Sequence, residues 1–248
     1  MGTEIKSSPV PSSFFAEVAG VFLSPSRTFE NATHRPRFVA PFLATLVLYA
    51  GFWGAVYLKL GLSGMAVAVV QYLRRGTLVT QDEIEFALQF SHALAPAVLI
   101  GGASAILAHL LVIAWVGARL TDLFFSVRLT LRAAVSLACH AYLAKAIAQA
   151  VLGVPMVLFG DIRGLNFGNL LPTNIAFFLD PKGMSRILYA VLQSLDIVQL
   201  WYLTLLGIGF STDSDDPASP GVMAGSFGVL WIGWNVFLAA LRDLMLRS

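Results

Sequence analysis

The sequence has few charged residues and almost no cysteine. Asp, Glu, Lys and Arg make up 12% of its 248 residues, about half the quarter that is typical of soluble domains. The 16 basic and 14 acidic residues leave a net charge of +2, which is too small for the basic surface of a nucleic-acid-binding protein. The one cysteine, Cys139, excludes an intramolecular disulfide and a metal site built from several cysteines.

Apolar residues are abundant and form long runs. They make up 57% of the chain, against about 45–50% in ordinary soluble proteins. A helix needs about 20 mainly apolar residues to cross a membrane. Five runs approach or exceed this length, so the sequence predicts an all-α polytopic membrane protein with five transmembrane helices and short N-terminal interfacial helices. The predicted spans are 38–58, 93–116, 133–159, 187–210 and 225–241.

The chain before the first span has two parts. Residues 1–13 are polar and contain prolines, which predicts a disordered tail. Within 14–34, apolar residues recur every three or four positions, and Ser24 followed by Pro25 is typical of a helix start. This amphipathic segment is too short to cross a membrane. It lies either on the membrane surface or over the end of the helix bundle. The rest of the chain, residues 35–248, is predicted to form the membrane domain.

Three connections between the spans carry further signals. The apolar stretch 61–73 is too short for a crossing and predicts a re-entrant or interfacial helix. Residues 80–83 form a capping box, so the helix of the second span begins outside the membrane. Residues 160–183 mix turn-forming and aromatic residues and predict an ordered loop that rests partly on the membrane. The basic residues before the first span favour a cytoplasmic N-terminus.

Two ionisable residues lie near the middle of predicted spans. Lys145 is in the third span, with Gln149 one turn away, and Asp196 is in the fourth span between Gln193 and Gln199. Adjacent antiparallel helices would place them at similar depth, as one polar seam. Because such groups are costly inside a membrane, each is a functional candidate. The seam is either a structural ion pair that fixes helix register or a relay for protons or substrate.

The two histidines inside predicted spans, His109 and His140, have no cluster of possible metal ligands near them in the sequence. They are therefore expected to form hydrogen bonds between helices, and no metal or cofactor is expected. The segment around Ser185 (183–186) is faintly similar to the serine motif of rhomboid intramembrane proteases. A base at His140 would lie much deeper than Ser185, so no catalytic residue and no enzyme activity are predicted.

Small residues recur at helical spacing in two spans, as they do where membrane helices pack closely. This pattern predicts a contact face on the third span and a second one on the second span. The residues of the two faces are Ala134, Ala138, Ala141, Ala144 and Ala148, and Gly101, Ala105 and Ala108.

Two segments carry the motifs of a known family. The first is Phe-Leu-Ser-Pro-Ser-Arg-Thr-Phe-Glu at 22–30. The second lies in the fourth predicted span and contains Asp196, Trp201, Gly207 and Gly209. With five predicted spans, these segments resemble the Yip family, whose name refers to Ypt-interacting proteins, and the second is similar to the aspartate–tryptophan–glycine helix of its bacterial branch. The resemblance implies five spans, a cytoplasmic N-terminus and, for the bacterial branch, the inner membrane.

Eukaryotic members of the Yip family are linked to Rab-type GTPases and to vesicle trafficking. This sequence lacks their Asp-Leu-Tyr-Gly-Pro-like signature and has only a short N-terminal tail, so GTPase recruitment does not carry over. Some bacterial members are suspected of serving efflux machinery.

Together these observations predict a non-enzymatic scaffold or accessory subunit that acts through helix–helix, partner or lipid contacts. Its expected partners are membrane lipids and other membrane proteins or a second copy of the chain, with no nucleic acid. The alternative is a small solute or lipid transporter, or an efflux component, that uses the Lys145–Asp196 polar seam.

Overall fold

The computed structural model describes residues 13–74, 81–89, 91–160, 171–179, 184–216 and 218–245. Within these ranges the protein is all-α, with nine α-helices and one short 3-10 helix at Ile175–Phe178. The α-helices are α1 (Phe14–Leu23), α2 (Pro25–His34), α3 (Val39–Arg74), α4 (Gln81–Gln89), α5 (Ser91–Phe125), α6 (Leu131–Phe159), α7 (Arg186–Ser194), α8 (Ile197–Phe210) and α9 (Ser219–Met245).

Four of the helices contain a stretch long and apolar enough to cross a membrane. They correspond to the first, second, third and fifth predicted spans, and they give the protein the architecture of an integral membrane protein. The stretches are Val39–Met65 in α3, Pro96–Phe125 in α5, Leu131–Phe159 in α6 and Ser219–Leu241 in α9.

The predicted fourth span, 187–210, is not one continuous helix, and its crossing of the membrane stays a prediction. The chain forms α7, leaves helical geometry at Leu195 and Asp196, and begins α8 at Ile197. The cause is local, because the Asp196 side chain accepts a hydrogen bond from the backbone N–H of Gln199 and caps a new helix. The backbone N–H of Ile197 then bonds outside the helix, to the Thr173 carbonyl at 2.9 Å.

Helix α3, which contains the first predicted span, is interrupted at Gly61, where φ is +67°. Glycine adopts this left-handed conformation without the steric cost that a side chain brings. The interruption separates the predicted span 38–58 from the stretch 61–73, which continues as helix. Its placement against a membrane interface stays a prediction.

The boundaries of three other helices differ from the predicted spans. Helix α5 continues beyond Arg119 to Phe125, since its last turns pack on α8 through Thr121, whose hydroxyl donates to the Phe210 carbonyl at 2.9 Å. Helix α9 begins at Ser219, before the predicted 225. The predicted capping box begins at Thr80, outside the described residues, and the separate helix α4 begins at Gln81.

Helix α6 is the centre of the bundle and packs against α1, α2, α3, α5 and α8. Its predicted small-residue face is confirmed. Ala134, Ala138, Ala141 and Ala144 are buried, and Ala148 is half-buried. Small side chains let the neighbouring helices approach α6 closely on several sides.

The predicted contact face of α5 is not used within the part of the bundle that the structure describes. Gly101, Ala105 and Ala108 lie on the outer surface of the bundle. The inner face instead contains two glycines that accept aromatic rings, Gly102 against Tyr49 of α3 and Gly117 against Phe210 of α8. The inner residues Ile106, Leu110 and Ala114 are buried between these two contacts.

The N-terminal helices pack against the bundle, as in the second of the two alternatives for 14–34. Helix α1 contacts α6, and α2 contacts α6 and α8. Val21, Phe29 and Ala32 belong to the main core. Pro25 begins α2 as predicted, although the side chain of the preceding Ser24 makes no capping hydrogen bond. A surface location in the membrane stays a prediction.

The glycine contact between α3 and α5 can be tested by a matched pair of substitutions. Gly102→Ala places a methyl group on the Tyr49 hydroxyl, which already donates to the Val98 carbonyl at 2.7 Å. We expect a loss of about 1–3 kcal/mol in the free energy of unfolding. Gly101→Ala is the control, because open space surrounds that position. Thermal unfolding in mild detergent compares the two, and equal stability would contradict the packing.

Candidate functional site

The predicted polar seam forms a chain of contacts between α6 and α8. The Lys145 ammonium donates to the Gln199 side-chain oxygen at 2.7 Å. The Gln199 backbone N–H in turn donates to the Asp196 carboxylate at 2.9 Å. Lys145 and Asp196 are therefore linked through Gln199. They do not form with each other the direct ion pair that was one of the two alternatives for the seam.

Lys145 is enclosed by three aromatic rings from three helices. Its ammonium lies 5.4 Å from the centre of the Tyr142 ring, 5.1 Å from that of Tyr202 and 5.6 Å from that of Trp231. These distances are within the range of cation–π interactions, which stabilise a cation shielded from water. We refer to Tyr142, Tyr202 and Trp231 as the aromatic cage.

His109 supports the aromatic cage from α5. Its Nε2 atom is 3.1 Å from the Tyr202 hydroxyl, and its ring packs against Tyr142 with 5.4 Å between ring centres. The cage was missed in the sequence, although Tyr142 lies one turn before Lys145 and Tyr202 one turn after Gln199. Helical spacing could have indicated both tyrosines. Trp231 carries no such signal because it comes from α9.

The Asp196 carboxylate is held by the segment that passes over the break between α7 and α8. The Thr173 hydroxyl donates to the second oxygen of this carboxylate. The backbones of Asn174 and Asp196 form an isolated antiparallel bridge. The Asn174 side chain caps the 3-10 helix by accepting from the Phe177 N–H at 3.0 Å. Residues 171–179 are thus an ordered part of the predicted loop, while 161–170 and 180–183 lie outside the described residues.

A cavity of about 310 Å³ lies between α3 and α6, beneath residues 171–174. One wall is aromatic and comes mainly from α3, and the other carries amide and carboxylate groups. The cavity's described lining residues are Thr45, Leu48, Tyr49, Phe52, Trp53, Ile106, Tyr142, Ala146, Gln149, Ala150, Leu171, Asn174 and Asp196.

The other predicted residues of the seam separate into two places. Gln149 lines the cavity together with Asp196. The side-chain hydrogen bond of Lys145 goes to Gln199 and not to Gln149. Gln193 lies in the last turn of α7 and is not among the described lining residues. Gln199 is buried, and its side-chain nitrogen has no hydrogen-bond partner among the residues that the structure describes.

His140 and Ser185 have separate local partners. The Nδ1 atom of His140 is 2.8 Å from the Ser136 carbonyl, and its Nε2 atom is 3.8 Å from the Glu17 carboxylate of α1. Ser185 caps α7 by accepting from the Leu188 N–H at 3.2 Å. The 2.8 Å hydrogen bond of His140 thus lies within α6, and its contact between helices is the one with Glu17 of α1, whereas Ser185 has a role in the local structure.

The side chains of this site can bind a ligand and can hold a negative and a positive charge in separate places. In the part of the chain that the structure describes, no group of three or more His, Cys, Asp and Glu residues is placed to hold a metal ion. Asp196 presents a carboxylate to the cavity, whereas Lys145 is held in the aromatic cage. The carboxylate can accept hydrogen bonds from a ligand, attract a positive charge or carry a proton.

Comparisons of the chain with protein-family models, with curated proteins and with solved structures find no match. The Yip-family resemblance of 22–30 and of the segment around Asp196 is therefore not accompanied by a family assignment. What is established is a helical protein with four long apolar helices.

The capping role of Asp196 can be separated from its charge by two substitutions. Asp196→Ala removes the cap of α8 and should lower the free energy of unfolding by about 1–2 kcal/mol. Asp196→Asn should cost less, because asparagine caps helices about as well as aspartate. Thermal unfolding in mild detergent measures both. An equal loss in the two variants would show that the charge, and not the cap, stabilises the break.

Proposed function

We propose that this protein binds a small solute or a lipid headgroup inside its helical bundle and acts as a transporter or an efflux component. One observation carries the proposal: a cavity within the bundle has a carboxylate, Asp196, at a break in a helix. Broken helices of this kind surround the binding sites of many secondary transporters, where exposed helix ends contact the substrate.

The membrane environment makes this break significant. Non-helical backbone within a membrane is tolerated where protein buries it or where it lines a cavity. Asp196 meets the second condition, because it lines the cavity, and its backbone pairs with that of Asn174. A movement of α7 relative to α8 would therefore change the cavity directly.

The proposal includes a fifth membrane crossing formed by α7 and α8 together. At 1.5 Å per residue, the 9 residues of α7 and the 14 of α8 rise about 14 Å and 21 Å. Neither length crosses a hydrocarbon layer of about 30 Å, but the two end to end do. Both helices pack along α9, which supports such an arrangement.

The Yip-family resemblance contributes the remaining features of the proposal. They are a cytoplasmic N-terminus and a location in a bacterial inner membrane. The break at Asp196 lies within one of the two segments that carry the resemblance.

The proposal predicts that Asp196→Asn abolishes solute binding and flux while the protein stays folded. The purified protein is screened by thermal shift against anionic, neutral and cationic solutes and lipid headgroups. Compounds that raise the melting temperature are then followed by uptake into proteoliposomes. Asp122→Asn is the matched control, because its carboxylate pairs with Arg128 at 3.6 Å outside the cavity.

Two results would contradict the transport proposal. The first is a complete screen without any solute whose effect depends on Asp196. The second is unaltered flux in the double variant Lys145→Met with Asp196→Leu, because that variant removes both charges of the seam.

We propose a scaffold or accessory subunit as the second candidate function. It is favoured by the row Gly101, Ala105 and Ala108, which lies on the outer surface of α5. Small residues at this spacing are typical of close helix–helix contacts in membranes, and the bundle does not use this row. A helix of another membrane protein or of a second copy could pack there.

Ala105→Leu tests the scaffold proposal. It should weaken association with a partner or a second copy by about tenfold, which is about 1.4 kcal/mol, without changing thermal stability. Quantitative co-purification from mild detergent and the mass of the complex measure the effect. Ala240→Leu, on the outer surface of α9, is the control. Equal association in both variants would exclude the row on α5.

A further inference from the structure

We infer that the cavity between α3 and α6 binds a small organic cation, an ammonium or alkylated ammonium group. This inference rests on the proposed function and specifies its ligand. The cavity combines an aromatic wall with a carboxylate, and these are the two features that bind organic ammonium ions in proteins.

The aromatic wall comes from consecutive turns of α3 and from α6. Tyr49 and Trp53 lie on one face of α3, with 6.3 Å between ring centres and an angle of 62° between the rings. Phe52 packs edge-to-face on Trp53 at 5.8 Å and 82°. Tyr142 of α6 also lines the cavity, but its ring already contacts the Lys145 ammonium at 5.4 Å, so the rings available to a ligand cation are those of α3. The negative faces of such rings attract a cation and make contact with its alkyl groups.

The charge of the lining is negative. Asp196 is the single charged side chain among the described lining residues. Lys145, the nearest candidate to neutralise it, is not in that lining, and its ammonium is held by Gln199 and the aromatic cage. The carboxylate thus lacks a direct counter-ion on the cavity side, and a ligand cation would supply one.

The other polar groups of the lining accept hydrogen bonds as well as donate them. Thr45, Gln149 and Asn174 contribute one hydroxyl and two amides, which tolerate an N–H or an O–H group on the ligand. An anionic ligand would face Asp196 without a cation in the lining to balance both charges. A neutral ligand would place no positive charge beside Asp196, whose carboxylate would keep only the hydrogen bonds from Gln199 and Thr173 on that side.

The volume indicates a small ligand. A cavity of about 310 Å³ is at the lower end of the range of about 300–1,000 Å³ for small-molecule sites. A free ammonium ion with a short side chain, or the headgroup of a lipid whose chains stay in the membrane, has a suitable size. The test below distinguishes these two sources.

The experiment measures binding of tetramethylammonium, choline and ethanolamine to the full chain in nanodiscs by calorimetry. The uncharged analogue of choline, in which a quaternary carbon replaces the nitrogen, has the same shape without the charge. We expect at least one ammonium ion to bind and the uncharged analogue to bind about 10- to 100-fold more weakly. Lipid vesicles with choline or ethanolamine headgroups then compete if the natural source is a lipid, and do not compete if it is a free solute.

Two variants and two controls locate the site. Asp196→Asn should weaken ammonium binding about 10- to 100-fold, and Trp53→Leu about 3- to 30-fold. Asp122→Asn and Trp234→Leu, whose side chains lie outside the cavity lining, should bind as the unaltered protein does. Thermal unfolding shows whether each variant is folded before its binding is compared.

The outcomes separate this inference from the proposed function. Equal binding of choline and its uncharged analogue, or ammonium binding that persists in Asp196→Asn, overturns the cation site. If no ammonium ion binds but a neutral or anionic solute binds in an Asp196-dependent manner, the cation inference fails and the proposed function remains. If no solute of any class binds, both fail.

Discussion

A backbone group that leaves a helix inside a membrane must find a partner within the protein, because lipid offers none. At the break between α7 and α8, two backbone N–H groups find such partners, and a third contact from Thr173 holds the carboxylate of Asp196. The carboxylate accepts from the Gln199 N–H and the Thr173 hydroxyl, and the Ile197 N–H bonds to the Thr173 carbonyl. These contacts fix the segment 171–174 at the break, and Leu171 and Asn174 of this segment line the cavity between α3 and α6. The position of the cavity therefore depends on the hydrogen bonds that the residues at the break make with the segment 171–174.

The buried ammonium of Lys145 poses the second constraint on the bundle. A cation that is removed from water loses several kcal/mol of solvation free energy unless protein groups take the place of the water molecules. Here the replacement comes from the Gln199 oxygen and the aromatic cage rather than from a carboxylate. Because the cage draws on α6, α8 and α9, Lys145 binds three helices together. Asp196 interacts with the Lys145 charge at longer range, and it lines the cavity while its carboxylate accepts from Gln199 and Thr173.

The sequence predicted the polar residues of this site better than their arrangement. Lys145, Gln199 and Asp196 stand out because ionisable and amide groups are rare in apolar runs. The break at Asp196 was missed because the run 187–210 is mainly apolar and long enough for a span, although aspartate three residues before Gln199 is a helix-start pattern. Thr173 and Trp231 could not be found, since only tertiary packing brings their segments to α8.

Helix α5 shows why composition alone does not assign the faces of a membrane helix. Its residues are apolar on all sides, so the pattern gives no direction for the core. Gly101 and Gly102 are neighbours in sequence, yet Gly102 packs against Tyr49 while Gly101 lies on the outer surface. Only the packing of the Tyr49 ring from α3 distinguishes the two glycine positions.

The two faces of α5 also separate the two proposed functions in space. Its inner face contributes Ile106 to the cavity lining, and its outer face carries Gly101, Ala105 and Ala108. Binding inside the bundle and association through the outer row therefore use different surfaces of one helix and do not exclude each other. Tyr49 connects them, since it lines the cavity and bonds to the Val98 carbonyl of α5. A partner that shifts α5 would move Tyr49 and alter the cavity, so occupancy of the outer row would change solute affinity.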